Sequence, residues 1–588
     1  MGNTPLHHYA CSNIFWINRT HYFIAVESLR KQLYDAVKVS TSEDNFHVPL
    51  QVVQYKESDG EVFGTTFDMS QKNETQSQTS IHYDAKNLFF EGEKQQSIFV
   101  GVVGEPGVGK TSLIKSILTH LTTDNCPLIF FISIRSTDFE CALTTFQLLV
   151  KEFLPEWKTD KNTEDGLIKK ISELPDVYIL VDGLDEAESG HFSSLSKTIN
   201  LCETATADRI IQNIFEGRVL KNAKKLVTSR PDAFLSLHPK CKPAFKVQIL
   251  GIGEESQKML SLQLCDNNAE ESAKVQAKLE MNPDLSALCY IPLYCKIIVE
   301  QLRFSSESAS LTHVTSTYIF IQALYEYITS EAEYLRGDRD GLLKVMELAL
   351  NGIANNKFIF TFNKIPEGER QVFTNFLKVK TRGSSKCRGK ILDGRKQFFF
   401  VHLLWQELFA AMKLMLFSDD VQFENYLEKM HHLEWKSVLH FVYGLTNDAS
   451  QELLADLFSF QSEVLDAKIQ LLTAYVKKSV VSDGEVDPSN KLVVPCSRAF
   501  EADQESITEE VIRLFPEILE LPDNMKPKEA VAISYVLSYK NSSQRKITIG
   551  MKDPKTFRGN SLKLLLDAAN GNGHKVSDIM SHVAIAVA

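Results

Sequence analysis

Residues Gly104, Glu105, Pro106, Gly107, Val108, Gly109, Lys110 and Thr111 follow the spacing G-x-x-x-x-G-K-[ST], and Ser112 comes next. Glycines at these positions let consecutive backbone N–H groups turn inward on phosphate oxygens. The lysine brings a point charge to the β- and γ-phosphates, and the threonine hydroxyl can ligate Mg2+. The chemistry this spacing supports is the binding of a nucleoside triphosphate.

Two further groups could complete such a site. The apolar run Val177–Val181 ends in Asp182-Gly183-Leu184-Asp185-Glu186. A carboxylate directly after a buried strand is costly unless it faces a cation. Asp182 therefore fits a Mg2+-holding acid, and Asp185 or Glu186 could polarise an attacking water; the plainer alternative is an acidic turn that caps a helix. The run Lys225-Leu226-Val227 leads into Thr228-Ser229-Arg230-Pro231. An arginine at a strand's C-terminal end lies where nucleotides bind an open sheet, so Arg230 could reach a γ-phosphate; the alternative is a surface arginine before a turn proline.

Elements that could position these residues can be read from the pattern around them. Short apolar runs at Ile98–Val103, Leu128–Ile132, Val177–Val181, Lys225–Thr228 and Phe245–Leu250 alternate with longer helical stretches, which predicts an α/β fold with a parallel five-stranded sheet. Leu113, Ile114, Ile117, Leu118 and Leu121 recur at helical spacing directly after Thr111, so a helix points its N-terminus at the phosphates. Beyond residue 255 helical patterns dominate, at Gln257–Leu264, Leu285–Gln301, Ser316–Leu335, Leu342–Asn351, Phe400–Phe417 and Gln451–Phe458. Residues 55–82 are poor in aliphatics and rich in polar side chains, which marks a linker and a domain boundary near residue 80. Residues 378–396 hold eight Lys or Arg and three Gly, which predicts an exposed basic loop. Thr4-Pro5-Leu6-His7 is a lone ankyrin-like fragment, and a single repeat cannot bury its own face.

The chain has 588 residues, too many for one core, and a net charge of −11, which gives no whole-chain reason to expect nucleic-acid binding. Its ten cysteines contain no C-x-x-C and several lie in apolar runs, as buried thiols of a reducing compartment would. The N-terminus lacks the pattern of a secretory signal, and Leu6 stands where a myristoylation motif needs Ser or Thr. The most apolar window, Phe398–Phe417, contains His402, Gln406, Glu407 and Lys413, which fits a buried helix and not a membrane span. A cytoplasmic protein is expected.

The ordered set of phosphate loop, D-G-L-D-E and T-S-R-P resembles the NACHT family of signal-transduction ATPases, of the STAND class. The resemblance continues through Leu250–Glu255 and through Asn282-Pro283 to Cys295, where it implies that Pro292 packs on the adenine. Thr315–Phe320 is similar to a helix of animal NOD-like receptors. Phe400–Ala411 resembles their winged-helix signature F-x-H-x-x-x-Q-E-x-x-A-A, with Trp405 where a smaller aromatic is usual. Taken alone His402 reads as a core histidine; the resemblance implies that it touches the β-phosphate of ADP. His440–Asn447 looks like part of the second helical domain, and Ala530–Asp567 has the helix-strand-helix rhythm that opens a leucine-rich repeat.

The resemblance implies a nucleotide-binding domain at 81–250, after an N-terminal segment and linker at 1–80. Helical domain 1 would follow at 251–315, a winged helix at 316–420, helical domain 2 at 421–525 and a short leucine-rich-repeat segment at 526–588. It also implies an ATP/ADP switch with Mg2+: an ADP-bound closed form that opens and forms homo-oligomers on binding ATP, hydrolyses slowly, and acts with a signalling partner in innate immune or stress signalling. Residues 1–55 are too short for a complete death-fold domain, so a truncated or regulatory member is expected. A robust AAA+-like motor and a nucleotide-binding scaffold without immune role are the other readings. The absence of N-K-x-D and L-S-G-G-Q argues against a GTPase and a transporter ATPase.

Overall fold

The computed structural model describes residues 25–37, 50–54 and, with interruptions, 99–576; the Thr4–His7 fragment and the polar stretch 55–82 lie outside the described residues. Helix α1 (25–37) precedes strand β1 (Gln51–Gln54), followed by β2 (Phe99–Gly104), helix α2 (Lys110–Leu121), β3 (Leu128–Ser133), β4 (Val177–Asp182), β5 (Lys224–Ser229) and β6 (Phe245–Gly251). All five expected strands are present, each within a residue of its expected bounds.

They form one sheet in the order β1-β6-β2-β5-β4-β3, with β2 through β6 parallel and β1 antiparallel at the edge beside β6. Both faces are covered, and the pleat sorts the side chains of β2 between them. Val100 and Val102 pack with Ile114, Ile117 and Leu118 of α2, whereas Phe99 and Val103 join Phe130, Ile132 and Ile179 on the opposite face. Because the five central strands run the same way, Gly104, Asp182 and Ser229 end at one edge of the sheet, where open α/β sheets bind their ligands.

The boundary expected near residue 80 needs correction. Val26, Leu29 and Leu33 of α1 are buried in one face of the sheet and Val37 in the other cluster, while β1 adds a sixth strand. Both elements belong to the nucleotide domain although a polar stretch separates them from β2.

Beyond β6 the described chain is chiefly helical, and buried apolar residues from Ile252 to Ala568 form one contiguous core. The helix expected over Leu285–Gln301 is two helices, Pro283–Leu288 and α3 (Pro292–Phe304), because Pro292 lacks an N–H and stands at a helix start. Next come α4 (Ser316–Glu326), α5 (Leu403–Phe417), α6 (Lys436–Gly444), α7 (Val493–Ala502) and α8 (Pro527–Ser538). The α5 helix starts later than expected, since Lys396–Phe400 is a strand and His402 caps the helix.

The basic run 378–396 also departs from expectation. Leu377–Thr381 pairs antiparallel with Lys396–Phe400, which also pairs with Phe360–Thr361, and Ser385–Cys387 pairs with Lys390–Leu392. The described residues of the run are therefore paired strands and not a loop. Near the C-terminus Ile518–Leu521, Thr548–Met551 and Lys575–Val576 pair in parallel, with α8 and Ser561–Gly571 between them.

Candidate functional site

The loop between β2 and α2 holds Gly107 at φ 76° and Gly109 at φ 103°, in the region that favours glycine. A side chain at Gly107 would meet Leu293 Cβ at 2.9 Å, so this turn also sets the approach of α3. Leu293 N donates to Gly107 O at 3.3 Å, which docks the start of α3, with Pro292 at its first position, directly on the loop. Lys110 Nζ donates to Gly104 O at 2.9 Å and Glu105 O at 3.0 Å.

Asp182 faces Thr111. Thr111 Oγ1 donates to Asp182 Oδ2 at 2.8 Å, Thr228 Oγ1 donates to Asp182 Oδ1 at 2.5 Å, and Thr228 Oγ1 accepts from Gly183 N at 3.0 Å. Thr228 thus fixes the aspartate at the end of β4 from the neighbouring strand.

Asp185 and Glu186 each meet a guanidinium. Asp185 accepts from Arg230 N at 3.1 Å and pairs with Arg230 Nε at 3.1 Å, while Glu186 takes a two-point contact from Arg135, with Nε to Oε2 at 2.7 Å. Arg135 follows β3 and also reaches the carbonyls of Phe400 and Val401 at 3.5 Å. Burial raises the Glu186 carboxyl, opposed by the Arg135 charge.

Arg230 turns its fork to the helical half of the chain. Nη1 donates to Glu407 Oε1 at 2.8 Å and to Ser437 Oγ at 3.3 Å, and Nη2 to Glu407 Oε2 at 3.4 Å. Burial works against the guanidinium charge, but Glu407 and Asp185 more than offset it.

His402, five residues before Glu407, caps α5 by accepting from Leu404 N at 3.1 Å through Nδ1. Burial, together with the charges of Arg135, Arg230 and Lys110, pushes its pKa down to about 3. The imidazole is neutral, with the cations of the phosphate loop, β3 and β5 around it.

The profile of the NACHT domain matches residues 99–268, which include the loop, Asp182 and Arg230. Residues 99–268 are a NACHT domain. Beyond the NACHT domain, the chain is similar over 470 residues to the NACHT, LRR and PYD domains-containing protein 3 of Bos taurus, at 26% identity, covering 73% of this chain and 44% of that one. The human protein of the same name is 25% identical over 473 residues, covering 73% and 43%. The human nucleotide-binding oligomerization domain-containing protein 1 is 24% identical over 356 residues, covering 55% and 36%. The chain thus spans less than half the length of these relatives. A solved STAND protein with a tetratricopeptide repeat sensor from Pyrococcus horikoshii covers 83% of this chain and 70% of its own at 13% identity and a TM-score of 0.27, too loose a likeness to argue from.

The donor set of the NACHT domain fits a nucleotide with Mg2+. Positive-φ glycines leave the loop open for backbone donors, and Lys110 carries the charge. Among the described residues no cluster of three or more His, Cys, Asp or Glu could hold a metal. Thr111 Oγ1 and the Asp182 carboxylate, 2.8 Å apart, are the residues that would hold Mg2+ together with phosphate oxygens. Among the described helices none is long and apolar enough to cross a membrane.

The sequence motifs assign no role to four participants in this site: Arg135, Thr228, Glu407 and Ser437. Glu407 had a signal, the Q-E of the signature quoted above. Arg135 had only its place after an apolar strand.

Proposed function

We propose that this chain is an ATP/ADP-dependent conformational switch of the NOD-like receptor type, closed and monomeric with ADP, opening and forming homo-oligomers with ATP. The observation that carries this reading is the Arg230–Glu407 pair: a cation at the nucleotide edge of the sheet is held by the helix that His402 caps. A nucleotide shifts a conformational equilibrium only through contacts that differ between the two forms. Arg230 can serve Glu407 or a γ-phosphate, and His402 can lie beside a β-phosphate only while α5 is docked.

When bound, Mg2+ would neutralise phosphate charge and polarise the γ-phosphoryl group. Asp185 and Glu186, each paired to a guanidinium, are poorly placed to accept a proton from water, which supports slow hydrolysis that resets the switch. The relatives support a role in innate immune or stress signalling with a protein partner. The cysteines at 141, 202, 241, 265, 289, 295 and 496 are all free, which suits a cytoplasmic protein. The parallel strands around α8 support the leucine-rich-repeat reading of 526–588, and the helices and three-stranded antiparallel sheet within 316–420 support the winged helix.

The test is the nucleotide that copurifies with the chain, identified by mass and quantified. Tightly held ADP at one per chain is expected; an empty site with steady multiple turnover would point to the motor instead.

A further inference from the structure

Glu105, the second residue of the phosphate loop, is joined to the far end of the chain. Its carboxylate pairs with Lys526 Nζ through Oε1 and accepts from Lys528 Nζ at 2.8 Å through Oε2, across 421 and 423 residues of sequence. Tyr290 Oη, from the turn before α3, donates to Glu105 Oε2 at 3.2 Å, and the Lys528 ammonium lies 6.0 Å from the Tyr290 ring centroid. Lys526 caps α8 and Lys528 lies in its first turn; Lys526 N donates to Glu529 Oε2 at 2.9 Å, which fixes that turn.

This cluster is half-buried: the side chains of Glu105, Lys526 and Lys528 keep 22%, 31% and 32% of their surface. Burial would raise the Glu105 carboxyl, yet the two lysine charges hold it well below the usual carboxylate range, and the same carboxylate raises both lysines against their own burial. Oppositely charged groups partly shielded from water in this way are screened by salt less than exposed ones.

The same residue touches the phosphate chemistry on its other side, since Glu105 O accepts from Lys110 Nζ at 3.0 Å and from Val108 N at 3.3 Å. Phosphate oxygens and the Glu105 carbonyl compete for the Lys110 ammonium. An event at the phosphates is thus an event at the backbone of the residue that α8 grips.

Resting on the reading that the loop binds ADP and ATP, we infer that Lys526 and Lys528 are positioning residues for the phosphate loop. Through Glu105 and Tyr290 they couple docking of the C-terminal helix α8 to how tightly nucleotide is held. The coupling is reciprocal by thermodynamic necessity: if docked α8 slows nucleotide release, bound nucleotide holds α8 down by the same factor. A loop that merely packs against α8 would lack this second property.

The experiment uses the full chain and the fluorescent analogue mant-ADP, chased with unlabelled ADP, alongside hydrogen exchange over 527–538. In the wild type, ADP should slow exchange in α8. The double variant Lys526→Ala/Lys528→Ala and the variant Glu105→Gln should each release mant-ADP about tenfold faster. Both should lose the effect of ADP on exchange in α8, and the charge swap Glu105→Lys with Lys526→Glu and Lys528→Glu should restore part of it. Folded variants that release mant-ADP at the wild-type rate would overturn the inference. So would wild-type α8 exchange that is indifferent to ADP, a result that stands even where a variant fails to fold. Wild-type protein that binds no mant-ADP would overturn the nucleotide reading as well, which separates the two failures.

Discussion

Arg230 and Glu407, 177 residues apart in sequence, form a buried ion pair at 2.8 Å that ties the end of β5 to α5. Ser437 Oγ of α6 accepts from the same guanidinium, and Asp185 accepts from its Nε and backbone N. The sheet and two helices of the helical half therefore meet on one side chain.

Replacing Glu407 by Ala should weaken the closed form most of all. Removing Glu407 leaves the largely buried Arg230 guanidinium with Asp185 alone, at a cost of about 1–3 kcal/mol. A nucleotide phosphate then competes for Arg230 with Asp185 alone. Light scattering after size exclusion should find spontaneous oligomer in ATP and monomer in ADP. A monodisperse monomer in both, with unchanged thermal unfolding, would refute the role of the pair.

His402 supplies a pH-dependent test. Its folded pKa of about 3 lies below the ordinary value of 6.5, so between these limits the unfolded chain binds a proton that the folded chain does not. Stability from this group is complete above pH 6.5 and falls as pH drops toward 3, with a slope of up to about 1.4 kcal/mol per pH unit. His402→Gln should flatten the loss of stability between pH 6.5 and 5, above the range where most carboxylates titrate. Parallel urea midpoints for wild type and variant across that window would count against a neutral buried imidazole. Separately, His402→Ala should raise spontaneous oligomer in ATP, and an unchanged monomer would contradict the switch.

Much of this site was legible because its residues end apolar strands. Thr111, Asp182 and Arg230 are fixed by local motifs, and a parallel sheet brings strand ends together whatever lies between them. Their partners were not legible for a physical reason. Arg135, Lys526 and Lys528 are ordinary charged side chains in sequence, and only the fold pairs them. The α1 helix was available in principle, since Val26, Leu29, Leu33 and Val37 lie at helical spacing. The polar stretch after it drew the boundary to the wrong side. The split at Pro292 followed from a missing N–H, which an apolar pattern alone does not register.

Glu501 is a second buried carboxylate that joins distant elements. It accepts from Ser316 N at 3.0 Å, Ser316 Oγ at 2.6 Å, Thr317 N at 3.1 Å and Thr317 Oγ1 at 2.7 Å, with His440 Nε2 at 3.3 Å. Burial opposes the charge, but His440 and these donors hold its pKa down to about 2. The carboxylate from α7 thus caps the N-terminus of α4, where a helix favours negative charge. Its folded pKa lies below the ordinary 4.5, so this contribution is present above pH 4.5 and is lost as pH falls toward 2. Glu501→Gln turns a donor group toward other donors and should cost about 2–3 kcal/mol at neutral pH. Hydrogen exchange should accelerate in the first turn of α4; unchanged protection there would mean that water replaces the carboxylate without cost.

The same α4 terminus sets the last prediction, at Gly444 in α6. A Cβ added there would stand 2.0 Å from Thr317 Oγ1 and 2.3 Å from Thr317 Cβ, far inside contact distance. Thr317 cannot swing aside without giving up its bond to Glu501 at 2.7 Å, so Gly444→Ala must part α6 from α4. Overpacking of this kind costs about 1–3 kcal/mol, against the gain that alanine usually brings to a helix. Thr317→Ala should not rescue it, because the remaining Cβ still clashes. Thr317→Gly removes the clash but also a donor to Glu501, so the double variant should recover part of the loss and no more. A double-mutant cycle on urea midpoints reads this directly. Additive effects of Gly444→Ala and Thr317→Gly would show that α6 and α4 do not meet at these two residues.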